Sequence, residues 1–395
     1  MTSNTTAGTR PASAASVDIL RDLVSFDTTS RNSNIPLIAW VEDYLANRGV
    51  RSTRVYDPTG TKANLWATIG PADQAGYVLS GHTDTVPVDG QDWASDPFRL
   101  VEHDGRLYGR GTTDMKGFLA VALAKVPDML QAPLKRPIHL CFSHDEEIGC
   151  IGVRYALERI GDLAPVAPVA AFIGEPTSMQ VIVAHKGKHN YRVVVTGKPV
   201  HSSLAPAGVN AIDYAAELIL KIRDINRRFA EGPRDEAFDI PVSTAHTGVI
   251  TGGTVLNIVP ETCEFAFEFR MLPGISHQTF EDEVRSFARD VLEPRMKAID
   301  PATGIVIELV NGTPGFDTDL GSAVIPMAKA LAGRNDHAKV AYGTEAGLFV
   351  HMAGVPSIVV GPGSIEQAHR PDEFIEMAEL GRCERFIDRL IERCC

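Results

Sequence analysis

Short apolar runs alternate with helical stretches along much of this chain, and this alternation restricts its fold more than any other feature. The apolar runs at residues 77–79, 138–142 and 169–173 have the character of buried strands. Segments with helical periodicity, 117–130 and 151–160, lie between them. Strand, helix and strand in repeated succession predict βαβ units and a largely parallel sheet. The predicted fold class is therefore α/β.

The alternation is interrupted between residues 186 and 311. There the predicted order is strand, helix, strand, strand, helix, strand, over 189–196, 210–230, 243–250, 261–271, 276–298 and 304–310. This order is typical of a ferredoxin-like α+β unit. Phe265, Phe267 and Phe269 alternate with polar residues, the period-two pattern of a sheet with one buried face. We therefore predict a main domain formed by 17–185 and 312–395, with a ferredoxin-like domain inserted at 186–311.

The N-terminus and the composition narrow the class of function. Residues 1–16 are rich in Thr, Ser and Ala and lack the apolar core of a signal peptide, so we expect a flexible leader on a cytoplasmic protein. No apolar run approaches the roughly 18 residues of a membrane span. With 38 basic and 50 acidic residues the formal net charge is −12, which argues against nucleic acid or an anionic membrane as the main partner. The six cysteines form no C-x-x-C pair, so we do not expect cysteine chemistry to carry the function.

Polar side chains follow the predicted strands at the point where each strand ends. His82, Glu146, Glu147 and Glu175 all have this placement, and ligands of open α/β sheets bind outside the carboxyl ends of the strands. Taken singly, each residue also fits a helix cap or a surface position. Taken together, imidazole and carboxylate groups without thiolates suit zinc, cobalt or manganese in a hydrolytic site. Two such metals sharing one carboxylate lie about 3.5–4 Å apart and act together on nucleophile and carbonyl.

Five motifs make the prediction of a hydrolytic metal site more specific. They are H-T-D at 82–84, G-R-G-T-T-D-M-K-G at 109–117, D-E-E-I-G at 145–149, G-E-P-T at 174–177 and a segment at 361–369 that ends in a histidine. In this order they resemble the M20 family of metallopeptidases and amidohydrolases. The resemblance implies two divalent metal ions, zinc in preference to cobalt or manganese, in the main domain. It implies that Asp114 bridges them, that His82 and Glu175 complete one site, and that Glu147 and His369 complete the other.

The same resemblance implies roles for other residues. Glu146 is expected to be the general base, and Asp84 to be the partner that orients His82. The Asp114–Met115 peptide is expected to be cis. The inserted domain is expected to be a lid through which the chain forms a homodimer, with His201 stabilising the oxyanion, often from the neighbouring subunit.

The substrate is inferred from a second set of motifs. The segment 359–373, Thr344-Glu345-Ala346 and F-R-M-L-P-G at 269–274 resemble the acetylornithine deacetylase branch of the family. This implies hydrolysis of N2-acetyl-L-ornithine to L-ornithine and acetate, a step of arginine biosynthesis. Arg270 suits a bidentate contact with the substrate α-carboxylate, although it also fits an exposed strand position. We expect Asn257 to bind carboxylate or amide, and Glu345 to face the substrate ammonium.

Two alternatives stay open on the sequence alone. Deacylases of succinyl-diaminopimelate, acetylcitrulline, acetylated diaminobutyrate or an aminoacylase-like range of substrates share the five motifs. A catalytically silent relative without metal is the alternative from another class of protein. The full set of metal-ligand types argues against that second alternative.

Overall fold

The computed structural model describes residues 11–395 of the chain. Its strands are β1 Ser52–Tyr56, β2 Ala63–Ile69, β3 Tyr77–His82, β4 Val101–His103, β5 Arg106–Tyr108, β6 Ile138–Ser143, β7 Ala170–Ile173, β8 Ile182–His185, β9 Gly187–Thr196, β10 Thr244–Gly252, β11 Thr262–Met271, β12 Gly304–Thr313, β13 Phe316–Asp317, β14 Ala338–Val340, β15 Ser357–Val359 and β16 Phe374–Glu376. Its α-helices are α1 Ala14–Val24, α2 Ile35–Ala46, α3 Gly117–Ala124, α4 Val126–Gln131, α5 Ile151–Glu158, α6 Ile160–Leu163, α7 Ala211–Glu231, α8 Gln278–Phe287, α9 Glu293–Lys297, α10 Val324–Ala332, α11 Ala346–Ala353 and α12 Met377–Cys394. None of these helices combines the length and the apolar character that a transmembrane span requires.

The first of two compact units contains the described residues through Ala184 together with Asp317–Lys339 and Thr344–Cys395. Its mixed nine-stranded sheet has the order β1-β2-β6-β3-β7-β15-β8-β13, with β14 beside β8. Neighbours from β6 through β3 and β7 to β15 are parallel, whereas β1 and β2 run antiparallel at one edge. The predicted α/β class with a largely parallel sheet is confirmed. A short antiparallel sheet, β16-β5-β4, completes the unit.

Helix α3 lies at the centre of the first unit. Its sequence, Gly-Phe-Leu-Ala-Val-Ala-Leu-Ala, is apolar on every side, and the side chains from Phe118 to Leu123 are buried, as expected of a helix enclosed in a core. Helices α1 and α12 both pack against it. We predicted one helix over 117–130, but the structure has two. Pro127 lies in the first turn of α4, and because it has no N–H it cannot continue the hydrogen bonding of α3.

Helix α1 begins at Ala14, inside the segment predicted to be a flexible leader. Ser13 caps the helix, since its hydroxyl accepts a hydrogen bond from the Ser16 amide at 3.3 Å. Glu384 of α12 holds the same turn, because its carboxylate accepts hydrogen bonds from Ser13 N at 2.8 Å and from Ser16 Oγ at 2.6 Å. The helix therefore begins three residues before the predicted boundary at Val17, and residues 1–10 of the predicted leader lie outside the described residues.

The second unit contains His185–Phe316 and Val340–Gly343. Its four strands have the order β10-β11-β9-β12, and all neighbours are antiparallel. With α7 and α8 this is the predicted β-α-β-β-α-β order. Phe265, Phe267 and Phe269 are buried in the core of this unit, as the period-two pattern predicted. The unit extends beyond the predicted boundary at 311 because β12 continues to Thr313, which pairs with Lys188.

Candidate metal centre

The carboxyl ends of three adjacent strands bring the main candidate residues together. His82 is the last residue of β3, Glu146 and Glu147 follow β6, and Glu175 follows β7. Because β6, β3 and β7 are parallel neighbours, their ends meet at one edge of the sheet. Another candidate, His369, comes from the loop between β15 and β16.

Two glycines let the Asp114 turn and α3 approach these strand ends closely. Gly81 precedes His82, and a Cβ at Gly81 would lie 2.4 Å from the Met115 side chain. Gly174 precedes Glu175, and a Cβ there would lie 2.0 Å from the Phe118 ring. The glycines of the two strand-end motifs thus have a packing reason that is independent of the chemistry.

Asp114 lies in an irregular helical turn, Thr112–Lys116, just before α3. The turn follows Gly111, whose φ of 81° is in the left-handed region that favours glycine. The Asp114–Met115 peptide is cis, as expected from the sequence resemblance. The side chain of Asp114 is buried among the strand ends.

The five candidate ligands form two groups that share Asp114. In the first, His82 Nε2 lies 3.0 Å from Asp114 Oδ1 and 3.9 Å from Glu175 Oε1. In the second, His369 Nε2 lies 3.3 Å from Asp114 Oδ2 and 3.0 Å from Glu147 Oε2. Within each group the ligand atoms all lie within 4.8 Å of one another. Asp114 therefore offers one oxygen to each group, which is the arrangement that a bridging carboxylate needs.

The chemistry of the donors fits divalent cations. Glu147 Oε1 and Glu175 Oε1 are buried and, among the described residues, have no hydrogen-bond partner. A buried carboxylate oxygen without a partner is costly, and a cation would satisfy it. Each group contributes one imidazole and two carboxylates, a set that suits zinc and related hydrolytic metals.

The electrostatics of the cluster indicate the same need for positive charge. Burial, reinforced by neighbouring carboxylates, raises the pKa of Glu146 to about 8 and that of Glu147 to about 7, and it raises the pKa of Glu175 well above its usual range. The hydrogen bonds that His369 donates to the carboxylates of Asp114 and Glu147 raise the pKa of His369 to about 10. Bound divalent ions would supply the missing charge and favour the ionised carboxylates.

Asp114 and His82 each shift the pKa of the other. Burial opposes ionisation of Asp114, but hydrogen bonds from His369 and His82 outweigh it and hold the pKa of this carboxyl well below its usual range. Burial likewise opposes protonation of His82, yet the hydrogen bond to Asp114 and the nearby Glu175 raise its pKa well above the usual value. Asp114 is thus the anionic centre of the cluster.

Asp84, the predicted partner of His82, contacts that ring through its main chain and has separate contacts through its carboxylate. His82 Nδ1 lies 3.0 Å from the backbone oxygen of Asp84, and the nearest carboxylate oxygen of Asp84 is farther away, at 3.6 Å. The carboxylate instead accepts hydrogen bonds from the amides of Glu146 at 3.1 Å and Glu147 at 3.3 Å, and from Ser30 Oγ at 2.7 Å. Asp84 therefore orients His82 through its main chain and holds the Glu146–Glu147 turn through its side chain.

Glu345 lies beneath the sheet edge and does not face an open space. Its side chain is 1% exposed and accepts hydrogen bonds from Ser80 Oγ and from Ser143 Oγ, the latter at 2.8 Å. This placement corrects the expectation that the carboxylate faces a substrate ammonium. Ser80 lies within β3 and Ser143 is the last residue of β6, so the side chain joins two strands that carry the site.

The other three predicted site residues belong to the second unit. His201 and Asn257 are exposed, and His201 Nδ1 lies 2.8 Å from Ser203 Oγ. Arg270 is partly buried near the end of β11, where its guanidinium pairs with Glu268 at 3.0 Å. The five candidate ligands, Glu146 and Asp84 all lie in the first unit.

Two residues that we gave no role from the sequence hold the Asp114 turn. Glu373 is 1% exposed and accepts hydrogen bonds from the amides of Gly111, Thr113 and Asp114, and Arg110 Nη1 donates to it at 2.8 Å. Both residues lie in the quoted motifs. Their place in the motifs was the signal available, but they lie 263 residues apart and the sequence gives no indication that they pair.

Comparisons with known proteins agree with this geometry. Residues 78–393 match the model of peptidase family M20/M25/M40. An acetylornithine deacetylase of Photorhabdus laumondii is 35% identical, over 96% of this chain and 97% of its own length. In fold, the chain is similar to an M20 family metallo-carboxypeptidase of Sulfolobus solfataricus, with a TM-score of 0.74, 18% identity and coverage of 96% and 99%. It is also similar to a dinuclear metal binding peptidase of the M20 family from Bacillus subtilis, with a TM-score of 0.66, 17% identity and coverage of 95% and 96%. On the family match and the similarity to the deacetylase, the chain belongs to peptidase family M20/M25/M40.

Proposed function

We propose that this M20 metallohydrolase converts N2-acetyl-L-ornithine and water to L-ornithine and acetate, a step of arginine biosynthesis. The observation that carries the hydrolytic part is the pair of ligand groups that share Asp114, with Glu146 beside them. The 35% identity to an acetylornithine deacetylase over nearly the whole chain supports the choice of substrate.

Each residue of the centre has a separate task in this proposal. His82, Asp114 and Glu175 hold one ion, and Asp114, Glu147 and His369 hold the other. Zinc is the metal that we propose, with cobalt and manganese as the alternatives that suit the same donors. When bound, two such ions acidify a water molecule and polarise the acyl carbonyl.

Glu146 moves the proton in this reaction. It accepts the proton that the attacking water loses and delivers it to the leaving nitrogen, as one group acting first as base and then as acid can do. Cys150 supports this side chain, since its Sγ donates a hydrogen bond to Glu146 Oε1 at 3.2 Å. Asp84 supports the main chain at the same place, through the Glu146 amide.

The second unit supplies the substrate contacts in our proposal. The Arg270 guanidinium binds the substrate α-carboxylate, Asn257 binds a carboxylate or amide oxygen, and His201 stabilises the oxyanion. The exposure of His201 and Asn257 supports roles that need contact with a ligand. Arg270 has to exchange or share its present partner, Glu268, to make its contact.

We also propose that the chain forms a homodimer through the second unit. Large apolar side chains are exposed there, among them Val249, Leu256 and Val306. Surface apolar groups of this kind are stabilised when a partner covers them. Light scattering on the protein at micromolar concentration tests the assembly, and a monomer mass would contradict it.

The function is tested by comparing substrates on zinc-loaded and cobalt-loaded enzyme. We expect kcat/KM to be highest for N2-acetyl-L-ornithine when acetylcitrulline, acetylmethionine and succinyl-diaminopimelate are measured beside it. We expect a chelator to abolish the activity and added metal to restore it. Activity mainly on another of the four would keep the chemistry and change the substrate. A protein that binds no divalent ion would instead support the alternative of a catalytically silent relative without metal.

A further inference from the structure

We propose that Glu373, acting with Arg110 and Gln91, is a positioning residue that fixes the distance between Asp114 and His369. Through that distance it controls binding of the second metal ion, the one held by Asp114, Glu147 and His369. The inference rests on the metal centre of the proposed function, although it does not depend on which substrate is used.

The first half of the argument is the hold that Glu373 has on the Asp114 turn. One carboxylate oxygen accepts hydrogen bonds from the amides of Thr113 at 2.9 Å and Asp114 at 3.1 Å. The other accepts from the Gly111 amide at 2.9 Å and from Arg110 Nη1 at 2.8 Å. Four donors on one buried carboxylate over-determine the path of the main chain through Asp114.

The second half is the link from the same pair to His369. Arg110 Nη2 donates to Gln91 Oε1 at 2.5 Å, and Gln91 Nε2 donates to the His369 backbone oxygen at 2.9 Å. Arg110 Nη1 also lies 3.3 Å from the backbone oxygen of Arg370. His369 has a φ of 63°, which is unfavourable for a residue with a side chain and has to be maintained by its surroundings. The contacts with the backbone oxygens of His369 and Arg370 provide that support.

The two ligand groups depend on this network to different extents. His82 and Glu175 are fixed by the ends of β3 and β7, which belong to the central sheet. Asp114 serves both groups, but His369 serves only the second. In the second group the turn Thr112–Lys116, which carries Asp114, and the loop that carries His369 are both held by Glu373 and Arg110. Loss of the contacts made by Glu373, Arg110 and Gln91 should therefore weaken binding of the second ion more than binding of the first.

The test is a titration of metal-free protein with cobalt(II). Calorimetry and the visible absorption of bound cobalt measure the binding of each ion. Glu373→Gln keeps the shape of the side chain but turns an NH₂ group toward donors that need an acceptor. We expect the wild-type chain to bind two ions and the variant to bind the second about 10–100-fold more weakly, the usual effect of losing a partner that supports a metal ligand. Gln91→Ala removes the link between Arg110 and His369, together with the acceptor of Trp93 Nε1, and leaves the contacts of Glu373 with the Asp114 turn in place. It should weaken binding of the same ion.

Glu384→Gln is the matched control. Glu384 is also a buried glutamate, and the three hydrogen bonds that its carboxylate accepts come from Ser13 and Ser16, which do not belong to the metal centre. We expect this variant to bind both ions like the wild-type chain. Wild-type affinity for the second ion in Glu373→Gln, or an equal loss of both ions in Glu373→Gln and Glu384→Gln, would overturn the inference.

Two further outcomes are decisive. If Glu373→Gln does not fold, the inference is tested with Gln91→Ala alone. Wild-type affinity for the second ion in that variant overturns the inference. Failure of the proposed function is seen separately, because a wild-type chain that binds two ions but leaves acetylornithine intact refutes the substrate and leaves the titration valid.

Discussion

Glu146 and Glu147 are neighbours in the chain, yet their side chains have different partners. Glu147 Oε2 lies 3.0 Å from His369 Nε2, whereas Glu146 Oε1 accepts a hydrogen bond from Cys150 Sγ. Glu146 belongs to neither ligand group. Asp84 holds the turn that carries both residues, and this turn directs the Glu147 carboxylate to a ligand group while Glu146 stays available for the proton transfer that we propose.

We predict that Glu146→Gln retains both metal ions and lowers kcat about 10²–10⁴-fold, because an amide cannot accept the proton. Metal analysis and steady-state kinetics on acetylornithine measure the two effects on the same sample. Glu158→Gln, at an exposed position of α5, is the control and should keep wild-type kcat. A kcat within tenfold of wild type in Glu146→Gln would remove this residue as the base.

At the scale of the element, the close approach of α3 to the strand ends depends on glycine. We predict that Gly174→Ala destabilises the protein by about 1–3 kcal/mol, because its Cβ would lie 2.0 Å from the Phe118 ring and one of them has to move. Displacement of the main chain also moves Glu175, so the variant should bind the ion of the first group more weakly. Urea unfolding and metal titration measure both effects. Gly161→Ala, where no atom lies within 4 Å of the new Cβ, is the control, and equal behaviour of the two variants would contradict the packing argument.

The elements themselves could largely be predicted from the sequence, because periodicity is a local property. The β-α-β-β-α-β order of the second unit and the position of His82 at a strand end are examples. The partners of buried polar groups could not be predicted, since they are far apart in the chain. Glu373 lies 259 residues from Asp114, and Glu345 lies 265 residues from Ser80. The pattern around Asp84 likewise gives no indication that its carboxylate binds the amides of the Glu146–Glu147 turn.

At the scale of the whole molecule, one histidine that belongs to neither ligand group links stability to pH. His139 lies on β6, is 2% exposed, and has its ring 5.3 Å from that of Trp66. Its Nδ1 lies 2.9 Å from Thr68 Oγ1, while its Nε2 is buried and has no hydrogen-bond partner among the described residues. Burial accordingly lowers the pKa of His139 from 6.5 to about 4, because a charged ring could not be solvated there.

This histidine should make the folded state less stable in acid. The unfolded chain binds the proton at pH values near 6.5 and the folded chain only near 4, so stability falls as the pH is lowered between these values and no further below them. The difference corresponds to about 3 kcal/mol. His139→Phe keeps the aromatic contact and cannot titrate. We predict that its free energy of unfolding falls by about 2–3 kcal/mol less than that of the wild type between pH 7 and pH 4.5. Urea unfolding of chelator-treated samples at both pH values measures the loss, and His103→Phe, which removes an exposed imidazole, is the matched control. If His139→Phe and wild type lose the same stability over this interval, the buried imidazole is not the group that links folding to pH.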